Sequence, residues 1–144
     1  ESAGISLRNG SDMLKLAGER ERVSIGLAFD LEDSLKLVEE ARPDIFCYHA
    51  GTTKGGRTGF DSGETIEETA ARTEAAYKEI RKVHPDVILI AHGAAFETPD
   101  DGQFILDNTS GHGIWTGSST ERLPSERAVS AAAAEFRALR FTKS

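Results

Sequence analysis

Two histidines occupy the same place in two similar stretches of this sequence. Ile45-Phe46-Cys47-Tyr48 runs into His49, and Val87-Ile88-Leu89-Ile90-Ala91 runs into His92; glycine follows each closely, at Gly51 and Gly93. An imidazole at the mouth of a flexible loop serves as general acid, general base or ligand near neutral pH, and neighbouring glycines let backbone N–H groups approach an anion. Thr52, Thr53 and Lys54 extend the first of these loops. A strand-end histidine is also commonly a capped structural residue, and it is the repetition that favours chemistry. Two histidines without a local carboxylate motif make a poor zinc site. A third polar stretch, Gly117-Ser118-Ser119-Thr120-Glu121-Arg122-Leu123-Pro124, supplies small residues, hydroxyls and backbone donors just ahead of a helix, which suits a phosphate. Arg122 suits bidentate binding of a carboxylate or phosphate, and Glu121 is its alternative, structural partner. Asp30 is the carboxylate that directly follows the apolar run of residues 23–29.

The elements that must position these residues alternate between strand and helix. After a short helix around Met13-Leu14-Lys15-Leu16-Ala17, residues 23–29 carry apolar or small side chains on both alternate faces, the pattern of a parallel strand buried on two sides. Residues 31–40 are helical, with Asp30 as N-cap and Leu31, Leu35 and Val38 on one face. A second strand spans 44–48. A helix over 65–82 follows, opened by the capping box Thr65-x-x-Glu68 and striped by Ile66, Thr69/Ala70, Thr73, Tyr77 and Ile80. The third strand spans 87–91. Thr98-Pro99 begins a helix over 99–106, with Asp100 and Asp101 favouring its positive end. The fourth strand spans 113–116, and a last helix spans 125–139 with Ala128, Ala132, Phe136 and Leu139 facing inwards. Trp115 reads as core, and His84 and His112 as exposed or capping residues before strands. In such an α/β chain the ligand lies beyond the carboxyl ends of the strands, which is where Asp30, His49, His92 and the 117–122 loop fall. Four strands do not close a sheet and leave two edges, and a complete flavodoxin-like domain needs a fifth strand. The chain opens at Glu1 directly into a loop and helix, and the expectation is that further strands lie upstream.

With 144 residues and 38 % hydrophobic content the chain is one domain's worth of polypeptide with material for a core. A net charge of −7 argues against nucleic acid or anionic lipid as partners, since both require a basic surface. Cys47 is the only cysteine, so no intrachain disulfide forms, and its apolar setting predicts a buried thiol. No apolar run approaches the ~20 residues of a membrane span. A cytoplasmic protein without a membrane partner is expected. The glycines at 55, 56 and 59 do not form a Walker A motif.

These residues also resemble a known family. Pro43-Asp44-Ile45 through His49 and Gly51, the loop to Gly56, Pro85-Asp86-Val87 through His92-Gly93, Thr98-Pro99-Asp100-Asp101 and, most specifically, Gly117-Ser118-Ser119 with Glu121-Arg122-Leu123-Pro124 look like the second half of the phosphoenolpyruvate hydrolase-like TIM-barrel family. Its members are about twice as long, the size of a whole barrel. The resemblance implies an α/β fold in which residues 1–144 are the C-terminal half of a single (β/α)8 TIM barrel, strands five to eight, with the N-terminal half absent. It further implies a phosphonopyruvate hydrolase type of activity, in which a phospho- or phosphono-α-keto acid is cleaved to pyruvate and phosphate with a divalent metal, Mg2+, by a homo-oligomer. The full-length protein is then the enzyme, and this piece alone is inactive. On that reading His49 and His92 are catalytic, while Thr52, Thr53, Gly93, Gly117, Ser118, Ser119 and Arg122 bind substrate and phosphate. Metal carboxylates belong mainly to the upstream half, with Asp30 the candidate here. The alternative within the resemblance is a metabolite-binding, signal-transduction barrel without turnover. Two departures stand out: Lys54 replaces a usual threonine, and Ala94-Ala95 a usual Gly-Pro.

Overall fold

The structure is a computed structural model and describes residues 6–57, 59 and 63–140. Its frame is four parallel strands, β1 (Ile25–Ala28), β2 (Ile45–His49), β3 (Ile88–His92) and β4 (Gly113–Ile114), lying side by side in chain order. The helices α1 (Leu7–Glu19), α2 (Leu31–Ala41), α3 (Ile66–Val83) and α4 (Pro99–Asn108) pack on one another in the same sequence, α2 against β1, α3 against β2 and α4 against β4. Residues 1–5 of the lead-in lie outside the described residues. The first helix is longer than its apolar core suggests and carries Gly10 and Gly18 within it.

Local signals in the sequence set the helix starts. The Asp30 carboxylate accepts from the Asp33 N–H at 2.8 Å. Thr65 with Glu68, and Thr98 with Asp101, form complete capping boxes, each satisfying two otherwise orphan N–H groups. The α3 stripe is as its spacing predicts, with Thr69, Ala70, Thr73, Tyr77 and Ile80 buried. At the opposite ends of the strands, the Asp44 carboxylate accepts from Ser24 N–H at 2.8 Å and Ser24 Oγ at 2.9 Å, and these bonds hold its pKa below the ordinary range. The His112 Nδ1 accepts from Leu89 N–H at 2.9 Å and extends the β3–β4 ladder as a strand cap.

Strand alternation divides the sheet sharply. Gly26, Ala28, Phe46, Tyr48, Leu89 and Ala91 face the helices and are buried. Each large side chain buried there contributes about 1.5–3 kcal/mol. Among the described residues the other face carries no helix. Register places on it three successive rows: Ile25, Ile45 and Ile88; then Leu27, Cys47, Ile90 and Gly113; then Phe29, His49, His92 and Trp115. The expectation that the first strand is buried on both sides is therefore corrected, because Ile25 is 43 % and Phe29 60 % exposed. Only the small central thiol of Cys47 is sealed by its neighbours, and burial pushes its pKa up to about 12, which removes it as a nucleophile.

Two further expectations are corrected. Trp115 is 43 % exposed: β4 is two residues long, and the indole stands just beyond it on the helix-free face. The last helix, α5 (Arg122–Arg137), begins three residues earlier than its pattern suggests, and its apolar residues do not face inwards. All residues 127–140 are exposed, Phe136 at 75 %, because among the described residues no strand lies beyond β4 to make a seat for α5. Among the described residues no helix is long and apolar enough to cross a membrane.

Candidate functional site

The third row lies at the carboxyl ends of the strands and joins the expected histidines. His49 and His92 are register partners, and their rings meet edge to face with centroids 4.4 Å apart. Phe29 lies on the far side of His49 at 4.3 Å, and Trp115 on the far side of His92 at 6.3 Å. The chain holds this row by continuing the ladder beyond the strands. Ala50 N–H donates to the His92 carbonyl and Ala94 N–H to the Gly51 carbonyl, both at 2.8 Å, and Lys54 N–H donates to the Ala94 carbonyl at 3.1 Å. Such close pairing requires Gly93, at φ +84°, because a side chain there would meet the Gly51 carbonyl oxygen and the His49 ring. Ala94 sits at φ +56°, a left-handed conformation that favours glycine.

Each imidazole is tied at Nδ1. Gly51 N–H donates to His49 Nδ1 at 3.2 Å, and His92 Nδ1 lies 2.6 Å from the Trp115 carbonyl oxygen. Burial, then the neighbouring His92, lowers the His49 pKa to about 4. The folded state thus binds fewer protons than the unfolded chain between the ordinary value near 6.5 and 4. The stabilisation from neutral His49 is complete above pH 6.5 and is lost as pH falls through 4. A thermal-midpoint series from pH 7 to 4 is expected to fall more steeply for the full-length wild type than for His49→Gln.

The remaining candidates divide into two groups. Gly117 lies against His92, and its carbonyl accepts the N–H groups of Thr120 and Glu121 at 3.0 Å. Ser118 and Ser119 follow in the same turn; Ser119 Oγ donates to the Phe96 carbonyl at 2.9 Å. Thr52 is exposed and Thr53 buried within the loop after β2. Arg122 faces inwards, to the protein. Its guanidinium donates to the carbonyls of Gly55 at 2.9 Å and Thr53 at 3.3 Å and to Glu126 at 3.1 Å, while Glu126 also accepts Arg57 N–H at 2.7 Å. It clasps the start of α5 to the glycine-bearing loop. Asp30 is exposed and serves as the α2 N-cap.

Sequence reading missed a second clasp. Arg72, in the second turn of α3, donates in a fork to Glu64 at 2.9 and 2.7 Å, to Tyr48 Oη at 3.3 Å and to the Ala50 carbonyl at 2.6 Å. Glu64 raises the Arg72 pKa, and Arg72 in turn lowers that of Glu64. The signal was available: a helix returning from a strand end places its first turns beside that end, so an arginine flanking the buried stripe there reaches the loop. Arg72 and Glu64 line a cavity of about 330 Å³ with Phe29, Ala50, Gly51, Thr52 and Ala94. Among the described residues no three His, Cys, Asp or Glu side chains gather in a way that could hold a metal, and the donors at the strand ends are imidazoles rather than the oxygens that Mg2+ prefers.

Known proteins give this geometry a context. Over 140 residues the chain is 27 % identical to two proteins of Solanum lycopersicum, the ToMV resistance protein Tm-1(GCR237) and the ToMV susceptible protein tm-1(GCR26); each match covers 96 % of this chain and 18 % of the relative. It thus spans less than a fifth of the length of these relatives. The family model described as phosphoenolpyruvate hydrolase-like matches residues 1–139, taking in the histidine pair, both clasps and the 117–124 loop. The chain belongs to the phosphoenolpyruvate hydrolase-like family.

Proposed function

We propose that this chain provides strands five to eight of a (β/α)8 barrel, and that the barrel hydrolyses a phospho- or phosphono-substituted α-keto acid to pyruvate and phosphate. Strands in chain order, helices confined to one face and an uncovered face built of β-branched and apolar rows support the barrel, since a barrel interior is filled by layers of such side chains from successive strands. Both sheet edges then pair with upstream strands, and α5 gains its seat. The observation that carries the activity is the meeting of His49 and His92 at 4.4 Å beside Gly117. The imidazoles move protons and polarise the substrate carbonyl, and the turn at Gly117, Ser118 and Ser119, with Thr52 and Thr53, meets the phosphoryl group. Arg122 contributes by fixing the loops. This chain's donors do not fit Mg2+, so any resident cation takes its carboxylates from the upstream strands.

A second reading is a barrel that binds such a metabolite without turning it over. It is favoured by the protein acceptors that Arg122 and Ser119 already occupy, and by relatives named for ToMV resistance and susceptibility rather than for a reaction. Phosphate release from phosphonopyruvate and from phosphoenolpyruvate by the full-length protein decides between them. The hydrolase reading expects release that His49→Ala/His92→Ala abolishes. Calorimetric binding with no release, or release untouched by the double substitution, contradicts it.

A further inference from the structure

We infer that the two imidazoles are held in opposite tautomers, His49 presenting an Nε2–H donor and His92 an Nε2 lone pair, so that one histidine gives a hydrogen bond where the other takes a proton. The tautomers follow from the atoms to which each Nδ1 is tied. A backbone N–H only donates, so His49 Nδ1, which receives the Gly51 N–H at 3.2 Å, carries no hydrogen. A carbonyl oxygen only accepts, so His92 Nδ1, 2.6 Å from the Trp115 oxygen, carries one. A neutral imidazole has a single N–H, which leaves it on Nε2 in His49 and on Nδ1 in His92.

The surroundings make the difference durable. Burial and the adjacent His92 oppose a second proton on His49, whose pKa is lowered to about 4, so near neutrality it remains a donor. With its Nδ1–H engaged by the Trp115 carbonyl oxygen, His92 keeps Nε2 as its acceptor nitrogen. Gly51 N–H and the Trp115 carbonyl are thus positioning groups acting through the rings. Both belong to backbone fixed by the ladder: Gly51 through its carbonyl bond from Ala94, and Trp115 through its N–H bond to Ala91 at 2.8 Å.

Applied to the proposed hydrolysis, on which only this part of the inference rests, the pair acquires distinct roles. A water oxygen bonds to phosphorus as the phosphorus–carbon bond of a phosphono-α-keto acid breaks, and the bond's electron pair passes into the ketone as an enolate. His49 Nε2–H donates to the enolate oxygen. The water proton passes to His92 Nε2, which returns it to the methylene carbon. Water and substrate give pyruvate and phosphate, with both histidines restored.

The test uses the full-length protein labelled with ¹⁵N in histidine. Solid-state ¹⁵N spectra at neutral pH distinguish protonated from bare ring nitrogens, and His49→Gln and His92→Gln assign the two rings, with His49→Asn and His92→Asn serving where a glutamine variant does not fold. Protonated Nε2 at His49 and protonated Nδ1 at His92 are expected; matching or reversed tautomers overturn the inference. In phosphate release, His49→Gln retains a donor near the Nε2 position and falls about tenfold. An amide cannot take a proton, so His92→Gln loses about 10²–10⁴-fold, the usual contribution of general acid–base catalysis. A greater loss in His49→Gln overturns the role assignment. The expected spectra without phosphate release by wild type leave the polarised pair standing and sink the hydrolase reading.

Discussion

Gly93→Ala in the full-length protein is expected to destabilise the fold and to reduce ligand binding and turnover together. A non-glycine residue at φ +84° costs roughly 1–3 kcal/mol in backbone strain. The added methyl group also has nowhere to go: it runs into the Gly51 carbonyl oxygen and would lie 2.9 Å from His49 Cε1. That overpacking adds about 1–3 kcal/mol and pushes the imidazole off the Gly51 N–H. Gly51→Ala is the control, because its methyl group would meet only Ala94 Cβ, at 3.9 Å. It is strained by its φ of +136° but leaves His49 in place. Denaturant melts and phosphate-release rates for the two variants separate strain from displacement: Gly93→Ala loses more of both. Equal losses show that the collision with His49 has no functional consequence.

Ile88→Asp is expected to cost the full-length protein several kcal/mol, although Ile88 is 45 % exposed in this chain. Ile88 stands in the first row of the helix-free face beside Ile45 and Ile25. If upstream strands close the sheet, that row becomes the barrel interior, and an unpaired carboxylate there carries a desolvation penalty of several kcal/mol. A solvent-facing position tolerates the same change to within about 0.5 kcal/mol. Thermal or denaturant unfolding of the variant against wild type reads the difference, with Ile88→Val as the conservative partner. A melt superimposable on wild type is incompatible with an enclosed face.

What could be read in advance was what the chain decides locally. Thr65 with Glu68, and Thr98 with Asp101, announce their helices because a cap needs only residues three apart, and the α3 stripe needs only a helical period. The strand-end histidines were legible because two similar apolar runs end alike. Burial on the helix-free face was misread for a physical reason: Ile25, Leu27 and Phe29 have the composition of a strand covered on both sides, and composition does not say which strands supply the second cover. The same holds for Ala128, Ala132, Phe136 and Leu139 on α5, an inward-facing pattern with no seat among the described residues. For Arg122 the sequence leaves anion binding and a structural pairing both open, because a guanidinium beside small polar residues suits either. Its acceptors, the carbonyls of Thr53 and Gly55, lie far away in sequence and come within reach because β2, β3 and β4 lie side by side in parallel. The Arg72 clasp was likewise hidden in a helix whose period drew attention to its apolar side.

The half-barrel is tested most directly by hydrogen–deuterium exchange of the full-length protein, followed by mass spectrometry of peptides covering β1 and β4. Among the described residues each of these strands is paired on one side only, and unpaired edge amides exchange quickly. Closure by upstream strands predicts that peptides over Ile25–Ala28 and Gly113–Ile114 are protected as strongly as the peptide over Ile45–His49 in the sheet centre. Rapid exchange confined to β1 and β4, with β2 protected, would show an open sheet and contradict the barrel.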